Sequence, residues 1–182
     1  ILILNPNNVQ ANLYKAQSLA SLGDKKGALE LYKKVALLDP DNETVQADMI
    51  SMVKDTMTIP QFIEYVKKNY SNNAGDILYD YALDLHKKEK LADAICLYNE
   101  VIKLDNDNSE AYVNLAIAQG QEKKYDQALA TINTAKSKFS DNSQITATEL
   151  SLKSQYMDEK LEIAGNYYNN KDYQSAINEY LK

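Results

Sequence analysis

Apolar residues recur along this chain at steps of three and four, in paired segments divided by short polar turns. The clearest stretch runs from Ser109 to Asn142. Tyr112, Leu115 and Ala116 stand at i, i+3, i+4, which stacks them on one helical face, and Ala128 and Ile132 repeat the effect four residues apart. The pattern predicts two amphipathic helices forming one unit of thirty-four residues.

A similar text returns on either side. From about Val9 to Asn42, Ala16 and Leu19 mark a first helix and Ala28, Tyr32 and Val35 a second. Gly23-Asp24 is the turn between them, since glycine closes a helix at positive φ and aspartate can cap the next one. From about Gly75 to Asn108 the sequence is Tyr81-Ala82 and Leu85, then Ala94, Tyr98 and Val101. The unit between, Glu43 to Ala74, is degenerate. Its first helix carries Val45, Met49, Met52 and Val53 with no glycine turn after it. The next helix starts at Thr58-Ile59-Pro60-Gln61, with Thr as cap, Pro in the first turn and Gln placed to close a capping box, and continues through Phe62, Ile63, Val66 and Tyr70. Sixty-six residues separate Ala28 from Ala94, so this unit has lost two.

After Asn142 the period breaks. Ala128 and Ala176 are forty-eight residues apart, one unit plus fourteen, and fourteen residues make about four helical turns. Ala147, Leu150, Ser154, Met157, Leu161, Ala164 and Tyr168 follow at alternating steps of three and four. The favoured reading of 143–170 is one long helix that packs through this stripe, first on the fourth unit and then on the helix after Asp172. Two helices broken near Tyr156 to Asp158 remain an alternative. At the chain start, the run from Ile1 to Pro6 lines up with Val35 to Pro40 and reads as the end of a preceding unit. Residues 173–182 open the second helix of a further one. Both ends are expected to be cut from a longer array, leaving apolar faces through which copies would self-associate.

Composition narrows the function. The net charge is −6, the pI is near 4.9, and all twenty basic residues are lysines interspersed with acids, which argues against nucleic acid. One cysteine, Cys96, and one histidine, His86, allow neither an internal disulfide nor a multi-histidine or Cys/His metal site. Cys96 reads as a packed or half-packed thiol, and His86 as a solvated or capping residue. No span reaches the apolar length of a transmembrane helix, so no membrane insertion is expected. With five glycines, no phosphate-cradling loop and no nucleophile elbow, neither an enzymatic site nor a cofactor is expected. Asp105-Asn106-Asp107-Asn108 imitates the start of a calcium loop, but the glycine and glutamate that would complete it are missing, so it reads as the turn between units.

The spacing of Ala16, Gly23, Ala28, Tyr32 and Pro40, and of its counterparts, resembles the tetratricopeptide repeat, although Asn12 and Lys15 stand where that family has an aromatic and a leucine. In the first unit, packing on that side would fall to Leu13, Tyr14 or a preceding neighbour, and Tyr14, Tyr32, Tyr98 and Tyr180 would be repeat packing. The resemblance implies an all-α fold, a right-handed α-solenoid of antiparallel helix pairs, running through 1–182 as one array. It implies a non-enzymatic scaffold whose first helices line a concave groove for a peptide or helical segment of a partner protein. The groove would carry Leu13, Gln17, Tyr79, Leu83, His86, Glu110, Val113 and Ile117, and would favour an apolar anchor. Family members that clamp a chaperone's C-terminal carboxylate do so with basic and amide residues. At those places this chain has Leu13, Gln17, Asp48, Asp76 and Asp80, so that clamp is not expected. The alternative is a regulatory or substrate-recruiting array of a larger enzyme, such as a glycosyltransferase or a kinase.

Overall fold

The computed structural model describes residues 1–40, 42–54 and 56–181; Asp41, Asp55 and Lys182 lie outside the described residues. Among the described residues there are ten helices and no strand, an all-α helical-repeat solenoid. The chain divides after Phe62 into two compact units, each described by itself.

The first unit holds α1 (Val9–Ser21), α2 (Lys25–Leu38) and α3 (Glu43–Lys54), and the start of α4 (Ile59–Asn69). Asn8 caps α1 by accepting the Ala11 N–H at 2.8 Å, and Asn42 accepts the Val45 N–H at 3.1 Å at the start of α3. Between α1 and α2 the chain reverses at Gly23, whose φ of +85° is the conformation an L side chain resists. Asp24 then accepts the Gly27 N–H at 2.9 Å. At α4 the capping box closes, with the Thr58 N–H donating to Gln61 Oε1 at 3.0 Å. The core is Leu13, Ala16, Ala28, Tyr32, Val35, Val45 and Met49. Asn12 is buried where an aromatic was missing, and its amide donates to the Pro6 and Asn8 carbonyls at 2.9 and 2.8 Å. Tyr14 is exposed, while Leu13 is buried in the core, with Val9 and Leu19 of the same helix packed against it.

The second unit takes the rest of α4, then α5 (Ala74–Lys87), α6 (Leu91–Leu104), α7 (Ser109–Gln121), α8 (Tyr125–Lys138), α9 (Ser143–Asn169) and α10 (Tyr173–Tyr180). The tight turn of α1–α2 recurs here without glycine. Glu89, Lys123 and Lys171 hold φ of 58°, 59° and 62° at the matching places of their pairs. Asn108 accepts the Ala111 N–H at 2.9 Å, and Asn142 the Ile145 N–H at 3.2 Å. The Asp105 carboxylate is used inside its own turn, accepting the Asp107 N–H at 3.0 Å. Cys96 is exposed, not packed, and so is Tyr180.

The long helix differs from the sequence reading in its packing face. α9 is continuous for 27 residues, and what it buries in its first half is Ile145, Thr148, Glu149 and Leu152. Ala147, Leu150, Ser154, Met157, Leu161 and Tyr168 are exposed, and of the alternating stripe Ala164 alone is buried. The periodicity was real, but Ile145 and Leu152 join the Tyr112, Ala128 and Ile132 core from a different side of the helix. Glu149 can lie on that side because Lys136 Nζ reaches Oε2 at 2.6 Å and Lys153 binds Oε1.

Two outcomes follow from these contacts. Gly23→Ala forces a left-handed alanine and is expected to destabilise the chain by about 1 to 2 kcal/mol in urea unfolding, whereas Glu89→Gly is expected not to. The hydrogen bonds from Lys136 and Lys153 hold the Glu149 carboxyl down to about 2. Its folded value lies below its ordinary one, so its stabilisation is complete above pH ~4.5 and is lost as pH falls toward 2. Thermal melts across that window should show a drop that Glu149→Gln reduces.

Candidate binding face on the first helices

The residues expected to line a groove divide into three groups. Leu13 and Val113 are core: each sits on the inward face of its helix, in the Tyr32 and Ile132 clusters respectively, and neither offers surface to a ligand. Gln17 belongs to the first unit, where its amide donates to Asp48 Oδ2 at 3.1 Å and the Tyr32 hydroxyl donates to the same oxygen at 3.0 Å. Asp48 is thus already engaged by two donors.

The remaining five, Tyr79, Leu83, His86, Glu110 and Ile117, lie on α5 and α7 in the second unit. Polar bonds tie the two helices together. The Tyr79 hydroxyl donates to Glu110 Oε2 at 3.1 Å and accepts from the Asn114 amide at 2.8 Å. Two turns further, His86 Nδ1 lies 3.2 Å from the Tyr98 hydroxyl and Nε2 lies 2.8 Å from Gln121 Oε1. With the phenol donating to Nδ1, the Nε2 proton goes to the glutamine. His86 is thus half-buried and bonded through both ring nitrogens; its ring meets Tyr98 edge-on at 5.9 Å, and Tyr79 lies 6.0 Å from the same ring. Burial, reinforced by the Glu110 carboxylate, pushes the Tyr79 phenol up to about 12. Burial also holds Tyr98 well above its usual range, with Tyr79 adding to the effect. Both phenols stay neutral donors through the physiological range.

Ile117 opens onto a recess of about 330 Å³ between α7 and α9. Apolar Ile117, Ala147 and Leu152 and polar Gln121, Gln144, Thr148, Ser151 and Gln155 line it. No charged side chain lines it. At Gly120 the Leu152 side chain lies over α7, so that a Cβ there would require Leu152 to shift. Sequence reasoning missed the α9 contribution, since the fourteen extra residues after Asn142 carry no counterpart in the other units. The glutamines at 144 and 155, on one side of a helix and eleven residues apart, were the available signal. Asp76 and Asp80 are exposed on α5. Among the described residues no group of three or more His, Cys, Asp or Glu is placed to hold a metal ion, and no helix is long and apolar enough to cross a membrane.

Paired helices, with a left-handed residue in the turns of the α1–α2, α5–α6, α7–α8 and α9–α10 pairs, define a helical-repeat protein. Two tetratricopeptide-repeat family models match, over residues 85–149 and 1–43. Among solved structures, the chain is similar to the TPR domain of P58(IPK), with 16% identity over 98% of this chain and 54% of that one, at a TM-score of 0.50. It is also similar to YrrB, described as a TPR protein with an unusual peptide-binding site, with 16% identity over 98% and 86% of the two chains and a TM-score of 0.46. A tetratricopeptide repeat protein from Parabacteroides merdae ATCC 43184 gives 14% identity over 96% and 67%, at 0.49. No curated protein matches the chain. The chain belongs to the tetratricopeptide-repeat family, whose members typically serve as non-catalytic scaffolds for protein–protein interaction.

Tyr79 tests the α5–α7 link. Tyr79→Phe leaves Glu110 and Asn114 without their shared partner and is expected to cost about 1 kcal/mol, read as a lower thermal midpoint with unchanged helix content.

Proposed function

We propose that the second unit is a peptide-binding scaffold that receives a segment of a partner protein along α5, α7 and α9. The recess between α7 and α9 carries this reading. An apolar side chain of the partner enters over Ile117 and Leu152, and the amides of Gln121, Gln144 and Gln155 meet its main chain, for which a side-chain amide supplies both donor and acceptor. Leu83 and His86 continue the face along α5, with Glu110 as its acidic neighbour. An anionic tail is disfavoured there, because Glu110, Asp76 and Asp80 present carboxylates and the chain has no arginine to pair with one.

Selection of binders from a displayed random-peptide library, followed by calorimetry, tests the reading. Peptides with a single large apolar residue and no acidic run should be enriched, since burying one such side chain contributes roughly 1.5 to 3 kcal/mol. Gln155→Lys together with Ile117→Ser should weaken the selected peptides by about tenfold or more, the equivalent of about 1.4 kcal/mol. Equal binding by this double variant, with helicity retained, would place the site elsewhere on the chain.

A further inference from the structure

The recess between α7 and α9 has a polarity, and part of it is set from α5. The chain of bonds that sets it begins at Tyr98, which is wholly buried. Its hydroxyl meets one partner among the described residues, His86 Nδ1 at 3.2 Å. A buried O–H left without an acceptor is costly, so the phenol donates, Nδ1 is the bare nitrogen and Nε2 carries the ring proton. That proton goes to Gln121 Oε1, 2.8 Å away. The oxygen and nitrogen of a side-chain amide stand on opposite sides of its carbon. Holding the Gln121 oxygen on α5 therefore turns its –NH2 away from α5, and Gln121 is one of the residues that line the recess. Among the described residues nothing else bonds to that nitrogen.

The long helix supplies the opposite group. Gln155 is turned by Ser151, whose Oγ accepts from Gln155 Nε2 at 3.1 Å. Its Oε1 lies beside α7, 3.9 Å from where a Cβ on Gly120 would stand. Glycine has no Cβ, so nothing covers the oxygen from that place.

We propose that His86 is a positioning residue of the recess: by holding the Gln121 oxygen it makes α7 the donor side, while Ser151 makes α9 the acceptor side. The inference rests on the proposed use of the recess and says which atoms of the partner go where. A peptide carbonyl lies against the Gln121 –NH2, a peptide N–H points to Gln155 Oε1, and the apolar side chain sits over Ile117 and Leu152. The segment must bring peptide groups that are free, since a helix interior keeps both in its own ladder. Were the Gln121 amide turned over, two oxygens would face the recess, and a carbonyl would meet repulsion where it now finds a bond.

Nuclear magnetic resonance of the full chain tests this, with N-acetylleucine methylamide as an uncharged probe that carries one apolar side chain between two peptide units. Long-range proton–nitrogen correlation of the imidazole in mildly alkaline buffer should find the proton on Nε2 before any probe is added; a ring protonated on Nδ1 alone overturns the proposal. On titration the methyl groups of Ile117 and Leu152 should shift together with the Gln121 –NH2. Methyl shifts without a Gln121 response overturn the role of His86 and leave the recess standing, whereas silent methyl groups remove the recess and this inference with it. Two variants of retained helix content separate positioning from packing, because His86→Lys can only donate and ionised His86→Glu can only accept. The lysine variant should bind the probe as the wild type does, and the glutamate variant about two- to tenfold more weakly. A purely structural role predicts the reverse order, since only glutamate can still accept from the Tyr98 hydroxyl. Equal affinities, or the reverse order, overturn the proposal.

Discussion

Two helices of one repeat can lie close only where both bring a small side chain to the crossing, and alanine meets that need in every regular pair of this chain. Ala16 and Ala28, Ala82 and Ala94, Ala116 and Ala128, and Ala164 and Ala176 are each twelve residues apart and essentially inaccessible to solvent. The distance between packed helices follows the size of the side chains at the contact. A larger residue at either place would push the pair apart and break the seal that Tyr32, Tyr98 and Ile132 make one turn later on the second helices. The α1–α2, α5–α6, α7–α8 and α9–α10 pairs can therefore be alike although few other residues coincide. Even α9–α10, whose second helix has only eight residues, keeps its alanines.

That dependence is why so much of the fold was legible. The alanines, the large residue four after the second of them and the asparagine before the first helix are local features, and local chemistry decides them. Asn8, Asn42, Asn108 and Asn142 all cap, and the box at Thr58 and Gln61 closes as its residue types require. The turns show the limit of such reading. Gly23 announces a left-handed residue, whereas Glu89, Lys123 and Lys171 adopt the same conformation with nothing in their side chains to signal it. There the geometry of the pair overrides the preference of the residue, because a helix that must reverse in so few residues has little other way to turn.

The binding face was legible only in part, for a different reason. Whether a residue on a first helix lines a groove or joins a core depends on how close the next first helix comes, and that is a property of the neighbour. Leu13 and Val113 hold the same place in their repeats as Tyr79, yet Tyr79 keeps access to solvent and ties α5 to α7 through Glu110 and Asn114 instead of through apolar contact. Gly120 shows the same dependence, because the Leu152 side chain that lies over it comes from α9. The long helix was misread for the same cause. Its alternating stripe looked like the inward face because a stripe usually is one, while the true inward face holds a threonine and a glutamate that are tolerable only with Lys136 and Lys153 supplied from outside the stripe's pattern.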